Sequence, residues 1–373
     1  MKRLWRDLPA FSPPASANDA LAITSMRSWR LKEPVSGRRY TVVRLESRGG
    51  TVGYGEGGAT VGSALVEAKG AVEGRRATDA EFFRHRLAGL PAMEAAVNNA
   101  ALDLLGKATK TPVYRYLGGP VRYKARVLAH LEVNGDSGFE EPLRRAVLAG
   151  FKAFTVPIPP RDSMARIQAY VDSVRQRVEH LRSVAGADSD FVLDGGGALA
   201  PGDAAAVSTA LERFHLLFFD EPTAVLTTDA LSKITESVTP VGLGRTLHAE
   251  GTFQNLLRWQ CVDVLRPSTG LNSIQRIRRM AALAESNYVA IAPYHNGGPI
   301  GSVAAIHAGA SLMNFFIQQV PVPLDQKDRD MRAELTSGNQ ETARDGFAAL
   351  INRPGLGIEV NEQALSKYSE ETV

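Results

Sequence analysis

The order of apolar and polar residues divides the chain into three parts. Apolar and polar positions alternate between 21 and 56, which predicts antiparallel strands joined by a glycine turn. From 62 to 110 the apolar residues recur with a helical period, and a Pro- and Gly-containing stretch at 111–120 ends this part. Beyond Pro120, short apolar runs alternate with longer amphipathic segments.

This third part predicts eight strands separated by helices. The strands are expected at 125–132, 154–158, 191–194, 216–220, 241–243, 262–265, 289–292 and 315–318. Strand–helix alternation over about 200 residues predicts an α/β protein with a parallel, TIM-like (β/α)8-type barrel. In such barrels the C-terminal ends of the strands build the active site.

The same pattern predicts a domain organisation. Residues 1–19 are rich in proline and predict an extended N-terminal arm. Residues 21–120 predict an α+β capping domain, and residues 121–324 predict the barrel. The alternation is lost after Val320, so residues 325–373 are expected to fold back and complete the capping domain.

Three successive predicted strands end in charged residues. Asp194 and Asp220 are 26 residues apart, and Arg245 follows Asp220 after 25 more. Each interval has room for one helix and two turns, so the three strand ends should point at one centre. The two carboxylates, with Glu221 beside the second, suit a hard divalent cation. The arginine repels one, so this chemistry stays open.

Composition and charge exclude several classes of function. Forty-three Lys and Arg balance 40 Asp and Glu, and no basic cluster is interleaved with aromatic residues, which predicts no nucleic-acid partner. No apolar run is long enough for a bilayer, which predicts no membrane partner. The single cysteine, Cys261, fits a reducing compartment, and the start of the chain lacks the apolar core of a signal peptide. We therefore predict a cytoplasmic protein.

Several strings in order between residues 21 and 370 resemble the mandelate racemase/muconate lactonizing enzyme branch of the enolase superfamily. They include VGYGEG from Val52, AVNNAALDLLGK from Ala96, GFKAF from Gly150, VAIAP from Val289 and PGLGIEVNEQAL from Pro354. The resemblance implies a modified (β/α)7β barrel, with a capping domain built from N- and C-terminal segments. It also implies a homo-oligomer that abstracts a proton alpha to a carboxylate, with Mg²⁺ held by three carboxylates.

The family's metal ligands are carried over one position at a time. The first two correspond to Asp194 and Asp220, with Glu221 adjacent, and the third position is Arg245. A guanidinium there supplies the positive charge that the metal would bring. We hypothesise that Arg245 forks onto Asp194 and Asp220 and replaces Mg²⁺; a divergent Mg²⁺ site is the alternative.

The family's bases are also replaced in this chain. The lysine motif of the second strand reads Thr155-Val-Pro157, and the Asp–His dyad of the sixth and seventh strands corresponds to Ser268 and Tyr294. The glutamate of the eighth strand corresponds to Gln319. His295 either takes over proton transfer by a one-residue shift or holds backbone.

Other residues complete the set of candidates. His248 follows Arg245 by three residues and is a further candidate for proton transfer, and His130 and Glu132 near the first strand end are weaker ones. Arg245 and Arg39 are expected to bind the substrate carboxylate, with Thr155 and Gln319 beside them.

Three functions are compatible with these residues, and each places a small carboxylate at the barrel mouth. The first is a Mg²⁺-dependent racemase, epimerase or dehydratase of a hydroxycarboxylate such as an acid sugar. The second is a metal-independent enzyme in which Arg245 holds the substrate carboxylate and His295, His248 or Tyr294 moves protons. The third is a catalytically degenerate, metal-free homologue with a carboxylate-binding or structural role.

Overall fold

The computed structural model describes residues 15–16, 18–131, 138–162, 166–248, 250–337 and 341–373. Most of the predicted arm and Glu132 lie outside these residues. The strands are β1 Ile23–Lys32, β2 Arg39–Ser47, β3 Val52–Gly58, β4 Lys124–Leu131, β5 Ala153–Pro157, β6 Asp190–Asp194, β7 Phe218–Asp220, β8 Val241–Leu243, β9 Val264–Leu265, β10 Ala290–Ile291, β11 Gln318–Val322, β12 Phe347–Ala349 and β13 Ser369–Thr372. The helices are α1 Gly62–Val72, α2 Ala80–Arg86, α3 Pro91–Ala108, α4 Val113–Tyr116, α5 Glu140–Leu148, α6 Ile167–Ala185, α7 Pro201–Ala210, α8 Thr228–Thr235, α9 Glu250–Trp259, α10 Ile274–Glu285, α11 Pro299–Ser311, α12 Gln326–Leu335 and α13 Glu362–Lys367, with a 3₁₀ turn at Glu212–Phe214.

Eight parallel strands form the barrel, in the order β10-β9-β8-β7-β6-β5-β4-β11. A parallel bridge between Ile291 and Phe315 brings the segment that enters β11 against β10 and joins the two ends of the sheet. Helices α5 to α11 each follow one of the first seven barrel strands, while β11 leads into α12. The predicted (β/α)7β fold is therefore confirmed.

The barrel strands are apolar on both faces because each face is covered. In β6, Phe191 and Leu193 pack among the residues that contact the outer helices. Val192, between them, packs with Phe218 and Val264 in a separate cluster inside the barrel. This burial on both faces explains why the sequence shows continuous apolar runs here rather than alternation.

The capping sheet has the order β13-β1-β2-β3 and is antiparallel, so both ends of the described chain contribute to it. Helix α3 packs directly on β3, where every second residue is glycine. A Cβ on Gly55 would lie 2.2 Å from the carbonyl oxygen of Ala96, and one on Gly57 would lie 1.9 Å from that of Ala92. The glycines of the VGYGEG string thus allow close contact between the helix and strand backbones.

Buried polar contacts attach the cap to the mouth end of the barrel. The Glu56 carboxylate accepts hydrogen bonds from the backbone N–H of Gly298 (2.5 Å) and of Gly301 (3.0 Å), at the start of α11. Asn99 Oδ1 accepts one from the N–H of Ile274 (3.0 Å), at the start of α10. Both helices begin just after barrel strands end, so the cap covers the C-terminal ends of the strands.

Substitution of Glu56 with glutamine is expected to change how stability depends on pH. Burial raises the pKa of Glu56 from 4.5 to about 7, although two backbone N–H groups oppose the shift. The folded state then binds this proton more tightly than the unfolded chain. The contribution of Glu56 to stability therefore falls by up to about 3 kcal/mol as pH rises from about 4.5 to about 7.

Urea unfolding of the two proteins from pH 5 to pH 8 tests this expectation. The free energy of unfolding of the original protein minus that of Glu56→Gln should decrease as pH rises. Glu81→Gln, at a side chain that is 68% exposed, is the control for a glutamate away from this interface. A difference that is constant across this pH range would contradict the prediction.

The loop between β1 and β2, residues 33–38, is fastened to α12. Asp328 accepts hydrogen bonds from the N–H groups of Val35 and Ser36, each at 2.8 Å. Glu33 is buried and pairs with Arg332 of α12 and with Arg38 (3.1 Å). Helix α12 therefore fixes the loop on the barrel side of the cap.

The last barrel strand lies further along the chain than predicted. The apolar run 315–317 makes one bridge to β10, whereas the ladder with β4 extends over Gln318–Val322. This strand was not recognised in the sequence because two glutamines and a proline are unusual in a barrel wall.

None of the described helices is both long and apolar enough to cross a membrane. The predicted homo-oligomer and cytoplasmic location stay predictions.

Candidate functional site at the barrel mouth

Strand register brings the two aspartates side by side. Pro157 at the end of β5 pairs with Asp194 at the end of β6, and Asp194 pairs with Asp220 at the end of β7. Asp220 in turn pairs with Gly242 in β8, three residues before Arg245. The register of the parallel strands thus places the three charged residues near one another, as their spacing in the sequence predicted.

Arg245 forms a fork with Asp194. Its Nη1 and Nη2 donate to the two carboxylate oxygens at 2.9 and 2.6 Å, and each side chain is only 12% exposed. Nη1 also lies 3.7 Å from Oδ2 of Asp220. Burial opposes ionisation of Asp194, but the hydrogen bonds and charge of Arg245 outweigh it and hold the pKa of Asp194 below its usual value.

Glu221 fixes the backbone of the same arginine. One carboxylate oxygen accepts hydrogen bonds from the N–H groups of Gly244 (2.7 Å) and Arg245 (2.8 Å). Glu221 itself has a φ of 44°, a left-handed conformation that is uncommon outside glycine. The side chain of Glu221 reaches the β8 end, where these two hydrogen bonds position the backbone of Arg245.

Arg266 is a member of this site that the sequence analysis did not select. It is fully buried, and its Nε lies 3.2 Å from both carboxylate oxygens of Asp220. Its other nitrogens donate to the carbonyl oxygen of Ala292 (2.7 Å) and to Oε1 of Gln319 (2.6 Å). Burial raises the pKa of Asp220 to about 6, although Arg266 and Arg245 favour its ionised form.

The sequence did carry a signal for Arg266. Residues two apart in a strand share a face, and Val264 belongs to the cluster inside the barrel. An arginine two residues later had to point inward and needed a buried anion.

Both ring nitrogens of His295 make hydrogen bonds, one to a backbone carbonyl and one to a side-chain hydroxyl. Nε2 lies 2.9 Å from the carbonyl oxygen of Gly298, and Nδ1 lies 2.6 Å from the hydroxyl of Thr269. The carbonyl can only accept, so Nε2 carries the proton and Nδ1 accepts from Thr269. Burial lowers the pKa of His295 to about 4, which keeps the ring neutral. This geometry favours the backbone-holding alternative over proton transfer.

Tyr294 lies beside both arginines, and Gln319 links Arg266 to the segment after β10. The ring centroid of Tyr294 is 5.0 Å from Cζ of Arg245 and 5.7 Å from Cζ of Arg266. Burial raises the pKa of Tyr294, so its hydroxyl keeps its proton at neutral pH. Gln319 accepts from Arg266 and donates to the carbonyl oxygen of His295 (3.0 Å). Ser268 pairs with Tyr294 through a parallel bridge, and its hydroxyl accepts from Gly270 (3.3 Å).

Three other predicted residues are placed differently from the expectation. The Thr155 hydroxyl is buried and donates to the carbonyl oxygen of Ala129 (3.2 Å), within the barrel wall. His248 is exposed at the surface. Arg39 lies on the capping sheet and pairs with Glu370 at 3.0 and 3.3 Å. The assignment of Arg39 to the mouth is corrected, because its side chain is held by Glu370 of β13 on the capping sheet.

The neighbouring residues Arg38 and His130 lie at the mouth. Burial lowers the pKa of His130 to about 4, the charge of Asp194 opposes this shift, and those of Arg38 and Arg245 add to it. Nδ1 of His130 is buried and makes no hydrogen bond among the described residues. His130 is thus a neutral imidazole with an unused hydrogen-bonding atom.

The groups at the mouth do not fit Mg²⁺. Both oxygens of Asp194 accept from Arg245, and both oxygens of Asp220 face Arg266. The described part of the chain holds no group of three His, Cys, Asp or Glu side chains arranged for a metal. Two fixed guanidinium groups already neutralise the carboxylates that would hold the ion.

Comparisons with known proteins agree with the fold. The family described as Enolase C-terminal domain-like matches residues 138–364. The chain is 27% identical to D-galactonate dehydratase of Verminephrobacter eiseniae, covering 94% of this chain and 95% of that protein. It is 27% identical to D-gluconate/D-galactonate dehydratase of Picrophilus torridus, with 87% of each covered.

Solved structures extend the comparison. A mandelate racemase/muconate lactonizing enzyme-like protein from Rubrobacter xylanophilus superposes with a TM-score of 0.82. The two chains are 24% identical, and the match covers 95% of this chain and 98% of that one.

Proposed function

Because the chain belongs to the Enolase C-terminal domain-like family of the enolase superfamily, we propose that it binds a small hydroxycarboxylate of the acid-sugar type at the barrel mouth. We further propose that it does so with Arg245 in place of Mg²⁺ and without metal-dependent enediolate chemistry. The observation that carries this proposal is the fork of Arg245 on Asp194, with Asp220 3.7 Å away. The names of the dehydratase relatives support an acid sugar as the ligand class.

The mouth retains groups suited to a polyhydroxy acid. Two of these groups are the hydroxyl of Tyr294, whose ring centroid is 5.0 Å from Cζ of Arg245, and Nδ1 of His130, which makes no hydrogen bond among the described residues. The first can donate to a ligand oxygen, and the second can bond a ligand hydroxyl. Arg245 beside them supplies positive charge for a carboxylate. Burial makes each of these bonds worth more than it would be in water.

The groups that would be needed for turnover are engaged or unsuited. His295 uses both ring nitrogens, and the pKa of Tyr294 is raised above its usual value. Ser268 and Thr155 have hydroxyls that do not accept protons at neutral pH. The mouth therefore supports ligand binding better than proton abstraction.

Metal-independent proton transfer by His130 is the second candidate function. The unpaired Nδ1 and neutral ring are the observations that favour it. A base whose pKa is about 4 is weak against a carbon acid, so we place this candidate second.

Calorimetric titration and a turnover assay with D-galactonate and D-gluconate test the proposal. We expect saturable binding that neither added Mg²⁺ nor EDTA changes, and no loss of either sugar acid. Tyr294→Phe should weaken binding about tenfold, because it removes one hydrogen bond to the ligand. Arg39→Gln, on the capping sheet, is the control that should bind as before.

Two results would reject parts of the proposal. Release of a dehydrated keto acid only when Mg²⁺ is added would establish the metal-dependent enzyme. Release without metal that His130→Asn abolishes would establish the second candidate.

A further inference from the structure

A second cavity is lined by residues that include neither Asp194 nor Arg245. It has a volume of about 390 Å³ and is bounded by the end of β11, the first residue of α11, the last turn of α5 and one face of α12. Its position follows from the fold. Helix α12 is tied to loop 33–38 through Asp328 and Arg332, and its Met331 and Leu335 pack in the apolar cluster that also holds Trp29 and Leu31 of the capping sheet.

The walls of this cavity combine apolar surface with positive charge. Pro299, Pro321, Val322 and Ala333 supply apolar wall, while three arginines and one glutamate supply the charged groups. The glutamate, Glu341, is already matched to Arg332, whose Nε donates to it at 2.7 Å. The remaining charge in the lining is that of Arg145 and Arg329.

Arg145 of α5 and Arg329 of α12 lie close together in this lining. Both donate to the same carbonyl oxygen, that of Leu324. Arg329 also donates to the carbonyl of Pro323 (2.9 Å) and to Oε1 of Gln326 (2.7 Å), and among the described residues it forms no ion pair. Burial and the charge of Arg145 lower the pKa of Arg329, while the charges of Asp325, Asp330 and Asp328 oppose the shift. Among the described residues the ion-pair partner of Arg145 is Glu141, which is 69% exposed.

We propose that this cavity binds a small organic anion with a compact apolar body, in addition to the ligand of the barrel mouth. Two like charges that share one carbonyl repel each other, and an anionic oxygen placed between them removes that repulsion. The proline, valine and alanine side chains cover the apolar part of such a ligand. A carboxylate and a phosphate ester share this chemistry.

Calorimetric titration with benzoate, phenyl phosphate and benzyl alcohol tests the site. Benzoate or phenyl phosphate should bind saturably, and benzyl alcohol, which has the ring without the charge, should bind at least tenfold more weakly. Comparison of the two anions distinguishes a carboxylate site from a phosphate site. Arg329→Gln should weaken anion binding about tenfold or more.

Two further variants separate this site from the mouth. Ala333→Trp fills the cavity and should abolish benzoate binding while D-galactonate binding at the mouth is unchanged. Tyr294→Phe should leave benzoate binding unchanged. Arg175→Gln, at an arginine that is 37% exposed on α6, is the control for loss of a surface charge. The proposal is overturned if neither anion binds, or if binding survives both Arg329→Gln and Ala333→Trp in folded protein.

Discussion

Replacement of Arg245 with methionine is expected to lower the free energy of unfolding by about 3–5 kcal/mol at pH 7. Methionine preserves much of the side-chain volume but leaves Asp194 without the two hydrogen bonds that it accepts at 2.9 and 2.6 Å. It also removes one of the two cations near Asp220, which is fully buried. This loss is the free energy of leaving a buried carboxylate without its partner. It is larger than the net stabilisation that the ion pair itself provides.

Urea unfolding with a matched control measures this effect. Arg84→Met removes an arginine from a surface pair with Glu81 and should cost less than about 0.5 kcal/mol. The folded-state pKa of Asp194 is lowered, so its contribution to stability is present above the unfolded pKa and is lost as pH falls through the folded pKa. The penalty of Arg245→Met should therefore shrink in acid. A loss below about 1 kcal/mol at pH 7 would contradict the buried-pair account.

The largest stabilisation by added Mg²⁺ is expected in a double variant, Arg245→Glu with Arg266→Gln. The pair restores a third carboxylate and removes the guanidinium that holds both oxygens of Asp220. Mg²⁺ should then stabilise the double variant, by about 2.7 kcal/mol when its concentration is a hundred times the dissociation constant. Arg245→Glu alone should respond little, because Arg266 still occupies Asp220.

Thermal unfolding in MgCl2, against NaCl of equal ionic strength, distinguishes these variants. Arg266→Gln alone is the control and should not respond to Mg²⁺, because Arg245 still holds Asp194. If Arg245→Glu alone responds as strongly as the double variant, Arg266 is no obstacle to a metal. If no variant responds to Mg²⁺, the strand ends lie too far apart to hold a metal. Arg245 would then be only one of the differences that prevent metal binding.

The fold was predictable from the sequence because the period of the apolar residues and the spacing of the apolar runs follow its helices and strands directly. The strands ending at Asp194 and Asp220 were predicted at their observed ends, and the resemblance of linked strings pointed to the right superfamily. The strand Gln318–Val322 was misplaced because its polar residues face groups from other strands. Gln319 has its partners on Arg266 and His295, which are distant in sequence.

The site was less predictable because side-chain direction depends on tertiary context. Arg245 could be assigned to Asp194 from strand spacing alone. Arg39 and Arg38 are adjacent in sequence, yet the first pairs with Glu370 of β13 while the second pairs with Glu33. Arg38 ends loop 33–38 and Arg39 begins β2, so their separate roles needed the structure.

Loop 33–38 is expected to open rarely. Its opening requires the buried pair of Glu33 and Arg332 and both bonds to Asp328 to break together. Such an event is rarer than the nanosecond motions of a free surface loop.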